Sequence, residues 1–148
     1  MLRPINFIEA RTIVELGAGT GPFTRELLKR MHPEARLIVY ETSSAFCKEL
    51  ECIGDPRLSV HNTSALQIGS VGNSVDYVLS GLALANFSRE DKTYLLEAIK
   101  QVLVPKGTYV QFQYTPESCR MLKRVFGSVR VGFEVRNLPP AFVYECRK

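Results

Sequence analysis

The stretch Val14-Glu15-Leu16-Gly17-Ala18-Gly19-Thr20-Gly21-Pro22-Phe23-Thr24 constrains this chain more than any other. Three glycines at alternate positions leave a β-prone run and enter a helical one. Glycine permits a sharp turn and lets backbone approach a ligand closely. The spacing is Gly-x-Gly-x-Gly, whereas the dinucleotide fingerprint that threads a pyrophosphate onto a helix N-terminus is Gly-x-Gly-x-x-Gly. Glu15, two residues before the first glycine, suits a cation such as the ammonium of an amino acid better than it suits a pyrophosphate. The next β-prone run ends in Glu41, 20 residues beyond Gly21. A carboxylate there can accept both hydrogen bonds of a ribose diol. Loop and acid together point to an adenosine-type ligand at the carboxyl ends of the strands.

The rest of the chain alternates in the same way. Strands are expected at Arg11–Leu16, Arg36–Glu41, Arg57–Asn62, Ser74–Ser80 and Thr108–Tyr114, with a final pair at Val129–Val135 and Ala141–Cys146. Between them, helices are expected over Pro22–Met31, with Phe23, Leu27 and Leu28 on one buried face, and from a Ser43 or Ser44 cap to Ile53. A third opens at Ser88, where Asp91 completes a variant capping box, and runs to about Val104, before Pro105-Lys106-Gly107. A fourth spans Pro116–Phe126. Strand–helix alternation implies a mostly parallel sheet covered on both faces, because parallel strands need crossover connections. Only Asn137-Leu138-Pro139-Pro140 separates the last two strands, so they pair antiparallel. The expectation is a single α/β domain over residues 1–148: a doubly wound, mostly parallel seven-stranded sheet closed by a C-terminal antiparallel hairpin.

A chain of 148 residues buries roughly 68–70% of its extended surface, enough for a core without staples. Hydrophobic residues at 45% and charged residues at 23% exclude a disordered chain. No apolar run approaches the ~20 residues of a membrane-spanning helix, and Met1-Leu2-Arg3-Pro4-Ile5-Asn6 lacks the layout of a signal peptide. The expected location is cytoplasmic, with room for a peripheral position on the inner face of a membrane. Cys47, Cys52, Cys119 and Cys146 form no Cys-x-x-Cys pair, and His32 and His61 are not at a metal-finger spacing; the cysteines read as reduced thiols and no metal is called for. From Glu117 onward seven basic residues face three acids, whereas the preceding part is balanced. That basic C-terminal third suits a phosphate-bearing partner, lipid headgroup or nucleic acid.

Glu15-Leu-Gly-Ala-Gly-Thr-Gly21 resembles the first motif of class I S-adenosylmethionine-dependent methyltransferases, whose Rossmann-like methyltransferase fold also ends in an antiparallel hairpin. The resemblance covers nearly the whole chain. It implies S-adenosyl-L-methionine as cofactor, with Gly17, Gly19 and Gly21 under its methionine and ribose and Glu41 on the ribose hydroxyls. Glu15, Ala18, Thr20, Thr42, Ser64, Ala65, Ser80 and Gly81 complete the implied cofactor-binding set. In many members an acid after the third strand meets the adenine amino group; here the matching stretch is Asn62-Thr63-Ser64-Ala65, with Ser64 in place of the acid.

The loop after the fourth strand faces the methyl group and the acceptor. Ribosomal RNA adenine dimethyltransferases carry Asn-Leu-Pro-Tyr or a near variant there, and this chain does not. Its Ser80-Gly81-Leu82-Ala83-Leu84-Ala85-Asn86-Phe87 is similar to the Ser-Gly-Leu-Pro-Leu-x-Asn-Phe stretch of bacterial phospholipid N-methyltransferases, with Ala83 where that family often has proline. Tyr109-Val-Gln-Phe-Gln-Tyr114 and Asn137-Leu-Pro-Pro-Ala141 are similar to the same family's fifth strand and final turn. The resemblance implies methylation of a phospholipid headgroup amine, phosphatidylethanolamine above all, at the membrane surface. A sulfonium methyl is already activated, so the protein need only align an amine lone pair and take up its proton. Ser80, Asn86 and Tyr114 are the candidate catalytic residues, with His61 a further candidate, while Tyr40, Tyr77 and Phe87 read as core or pocket wall. The segment before the first strand is short, and Pro4-Ile5-Asn6-Phe7 is expected to dock beside the sheet. Two alternatives stay open: an RNA adenine N6-dimethyltransferase-like enzyme, and a non-catalytic cofactor-binding partner subunit. Nucleic acid is the less favoured partner, and the oligomeric state is open.

Overall fold

In the computed structural model, which describes residues 2–114, 118–134 and 141–148, the chain runs through β1 (Thr12–Leu16), α1 (Pro22–Arg30), β2 (Arg36–Glu41), α2 (Ser44–Glu51), β3 (Leu58–Asn62), β4 (Val75–Ser80), α3 (Arg89–Val102), β5 (Leu103–Gln113), α4 (Cys119–Val125), β6 (Ser128–Glu134) and β7 (Ala141–Arg147). All seven strands join one sheet in the order β3-β2-β1-β4-β5-β7-β6. The first five are parallel, and β7 enters antiparallel between β5 and β6. This is the doubly wound sheet with a closing hairpin that the strand–helix alternation predicts.

The sheet is covered on both sides because its strands are apolar on both faces. In β1, Val14 and Leu16 enter one core cluster and Ile13 the other; in β2, Ile38 and Tyr40 separate likewise from Leu37 and Val39. Alternate side chains of a strand point to opposite faces, so a continuous apolar run needs two covering layers. On one face lie α3, α4 and a 3-10 turn at Ala65–Val71, through Leu95, Leu96, Ile99, Leu122 and Ile68. On the other lie α1, α2 and the N-terminal segment, through Leu27, Leu50, Leu2 and Ile5. The expected docking of the N-terminal segment is observed: Ile5 is buried and the Asn6 backbone N–H donates to the Tyr77 hydroxyl at 3.1 Å.

Local chemistry sets the boundaries. Ser43 Oγ accepts from the Phe46 N–H and Ser88 Oγ from the Asp91 N–H, so both expected caps start their helices. Gly21 sits at φ +79° before Pro22, whose fixed φ and missing N–H fit the first helical position. One connection differs. Pro105-Lys106-Gly107, expected to separate the third helix from the fifth strand, lies within β5, which starts at Leu103 rather than Thr108. The strand accommodates these residues by a register shift against β4, with Lys106 at φ +69°. The last helix is described over Cys119–Val125; its expected start at 116–117 and the expected turn at 137–140 lie outside the described residues. All four cysteines are free thiols, Cys47 and Cys146 buried among them.

Candidate active site

Strand order reverses between β1 and β4, and in open α/β sheets ligands bind outside the carboxyl ends of the strands at such a switch point. Leu16 and Ser80 pair across it, so the glycine loop and the loop Ser80–Phe87 begin side by side. The Gly81 N–H donates to Leu16 O at 3.1 Å, and the Gly17 N–H donates to Tyr40 O at 2.9 Å.

The three glycines do different work. All have φ between +56° and +79°, a region that side chains rarely adopt. A Cβ on Gly17 would meet Leu82 Cδ2 at 2.4 Å, and one on Gly21 would meet Leu50 Cδ2 at 2.5 Å. At Gly19 nothing lies within 4 Å. Gly17 and Gly21 therefore let the loop pack against its own protein, while Gly19 leaves open space above the crevice.

Glu41 closes the loop from the β2 side. It is buried; its Oε2 accepts the Gly19 N–H at 3.0 Å and its Oε1 accepts the Ser43 N–H at 2.9 Å. Each carboxylate oxygen has two lone pairs, so one on each oxygen remains for a sugar hydroxyl. Asn62 Nδ2 donates to the carbonyls of Glu41 and Thr42 at 3.0 Å, tying β3 to this turn. Glu15 lies beneath the loop, only 3% exposed, and accepts the Thr24 hydroxyl at 2.7 Å. Burial pushes its carboxyl up to about 7; the Thr24 hydrogen bond opposes this and the neighbouring Glu41 charge adds to it. A cation brought near would favour the ionised form.

These residues fit an S-adenosyl nucleoside: open space at Gly19, free lone pairs on Glu41 for the ribose, and an acid under the loop for the ammonium. Around them, Ala18 is buried, Thr20 and Thr42 are exposed, and Gly81 lies in the second loop. Ser64 Oγ accepts the Leu66 N–H at 3.2 Å and starts the 3-10 turn, with Ala65 buried behind it.

The candidate catalytic residues are placed unevenly. Ser80 is fully buried, its Oγ accepting the Leu82 N–H at 3.3 Å. Asn86 ends a short 3-10 turn, Leu84–Asn86, and is exposed. Tyr114 is 56% exposed, its ring edge-on to Phe112. No hydrogen bond among the described residues links the three. His61 lies on edge strand β3 and stacks on Tyr40, with ring centroids 5.2 Å apart. Tyr40 is core, and Tyr77 and Phe87 pack partly buried against the two clusters.

Sequence reasoning missed two residues here. Gln111 and Gln113, on alternate positions of β5, are 0% and 5% exposed. The Gln111 amide donates to Ser80 O at 3.3 Å and to Leu82 O at 3.0 Å, and Gln113 donates to Leu82 O at 2.9 Å. The available signal was two glutamines sharing the inward parity of Tyr109.

Residues 13–107 match the family described as a methyltransferase domain. The ornithine lipid N-methyltransferase of Singulisphaera acidiphila is 39% identical over 158 residues, which cover 99% of this chain and 80% of that protein. The fold is shared with an S-adenosylmethionine-dependent methyltransferase from Aquifex aeolicus, at a TM-score of 0.78 and 17% identity over 99% of this chain and 86% of that one. It is shared too with a spermidine synthase solved with a transition-state analogue, at a TM-score of 0.79 and 17% identity over 96% of this chain; the match spans 54% of that synthase.

Proposed function

Because the chain belongs to the S-adenosylmethionine-dependent methyltransferases, we propose that the amine it methylates is carried on the headgroup of a membrane lipid. The observation that supports this reading is the loop Ser80–Phe87, which starts in register with the glycine loop and resembles, apart from Ala83, the same stretch of phospholipid N-methyltransferases. The ornithine lipid specificity named for the Singulisphaera acidiphila relative supports a lipid amine, and the phospholipid N-methyltransferase resemblance supports phosphatidylethanolamine. Both lipids present a primary amine at a membrane surface. Exposed Arg120, Lys123 and Arg124 on α4 supply positive charge toward anionic lipid. Among the described residues no helix is long and apolar enough to cross a membrane, which is compatible with a peripheral position.

When bound, the cofactor supplies an electrophilic methyl, so the chain's task is alignment. The glycine loop and Glu41 would hold the nucleoside, and the second loop would hold the acceptor amine beside it. A headgroup ammonium must lose a proton before it can attack. Ser80 Oγ, Asn86 Oδ1 and the Tyr114 hydroxyl are the groups we assign to orienting the amine, whose proton passes to water.

The test incubates the protein with methyl-labelled cofactor and three acceptors in parallel: phosphatidylethanolamine vesicles, ornithine lipid vesicles and ribosomal RNA. Label is expected in a lipid amine, with turnover falling as salt rises. Label in RNA with none in lipid rejects the reading in favour of a base methyltransferase. Cofactor binding without product from any amine rejects it in favour of a non-catalytic partner subunit.

A further inference from the structure

We propose that Gln111 and Gln113 are positioning residues for methyl transfer, a pair of buried amides on β5 that lock the acceptor loop by saturating the Leu82 carbonyl. A buried amide is costly unless its hydrogen bonds are made. Here three of the bonds reach the acceptor loop, two of them at Leu82 O. Gln111 Nε2 faces Ser80 O, Leu82 O and, at 2.7 Å, Phe112 O, while its Oε1 accepts the buried Tyr109 hydroxyl. The Tyr109 bond fixes which end of the amide faces the loop. Gln113 Nε2 adds a second donor to Leu82 O.

Two consequences follow for the reaction. A carbonyl oxygen has two lone pairs, and the two glutamines use both on Leu82, so that carbonyl is closed to the amine substrate. The amine must turn to the hydroxyl and amide groups of Ser80, Tyr114 and Asn86. The clamp also holds the Leu82 side chain against Gly17, close enough that a Cβ there would collide with it. Leu82 thus joins the acceptor loop to the glycine loop, and the glutamines set the distance between amine and cofactor from behind. In-line transfer is sensitive to displacements of about 1 Å, which is why such a fastening matters. The inference rests on methyl transfer and not on the identity of the lipid.

The test replaces each glutamine by methionine, which keeps length and removes the donor. Gln113→Met, at the end of the strand, guards against misfolding of Gln111→Met. Readouts are S-adenosylhomocysteine affinity by calorimetry, kcat and KM on the acceptor that the wild type labels in a total lipid extract, and hydrogen exchange of residues 80–87. The clamp predicts kcat lowered at least about tenfold, with product affinity held within about threefold and exchange accelerated in residues 80–87 alone. Unchanged kcat and unchanged exchange in Gln113→Met would overturn it, as would acceleration spread over the whole sheet with lost product affinity. If the wild type labels no lipid, the lipid reading fails separately, and exchange of residues 80–87 decides the clamp.

Discussion

Replacing Glu15 by glutamine should make the cofactor-free protein more stable at neutral pH while weakening its hold on the cofactor. The buried carboxyl is lifted from an ordinary value of 4.5 to about 7, chiefly by desolvation. A carboxyl whose folded value is raised adds stability that is complete below 4.5 and is lost as pH climbs through about 7. At about 1.4 kcal/mol per pH unit, that window spans about 3 kcal/mol. Glutamine imitates the protonated acid and cannot ionise, so the gap between the two proteins should open with pH. They should unfold alike near pH 4.5, and Glu15→Gln should be the more stable by about 3 kcal/mol at pH 8, or roughly 10 °C in melting temperature. Subtracting the two curves cancels the titrating groups that do not interact with Glu15. The assay is urea unfolding at a series of pH values without cofactor, followed by calorimetric titration with S-adenosylhomocysteine. A difference in stability that stays flat from pH 4.5 to 8 would refute the assignment of a strained, proton-hungry acid beneath the loop. Equal product affinity in the two proteins would refute its role toward the ammonium.

Glu41→Ala removes the acceptor of two backbone N–H groups and the acid we propose for the ribose; S-adenosylhomocysteine affinity measured by calorimetry should fall by about tenfold to a hundredfold. Gly19→Ala carries a left-handed strain of about 1 kcal/mol and points its methyl into open space, so melting should shift little while product affinity drops. Gly17→Ala drives its methyl into Leu82, so turnover should fall further than affinity, as steady-state kinetics beside calorimetry would show. Arg57→Ala cuts the bonds from the start of β3 to Asp55 and to the carbonyls of Leu28 and Met31; urea unfolding should register a loss of about 1–2 kcal/mol with product affinity unchanged.

The parts of this protein that could be read from residues alone are those governed by local rules. β2 was expected and found at Arg36–Glu41, because an apolar run between charged ends leaves little choice. Ser43 and Ser88 were expected to cap helices, and their hydroxyls do so. Pro105-Lys106-Gly107 misled because residues that stop a helix serve equally in a loop and in a strand irregularity; only pairing with β4 tells them apart. In the site, the glycines and Glu41 stood out by spacing. Which glycine packs on protein and which opens to the crevice depended on Leu82 and Leu50, distant in sequence. Gln111 and Gln113 share the parity of Tyr109, but their partners lie on another strand's loop, and a β-prone run does not say what that parity will face.

The side-by-side start of the two loops at Leu16 and Ser80 has a consequence for how such enzymes diversify. On the proposed reading, nucleoside capture falls to the loop after Leu16 and choice of acceptor to the loop after Ser80, and the paired strands at the centre of the sheet keep them in alignment. Insertions or exchanges downstream of Ser80 can explore new acceptors while the inherited donor grip stays intact, provided they preserve the fastening from β5.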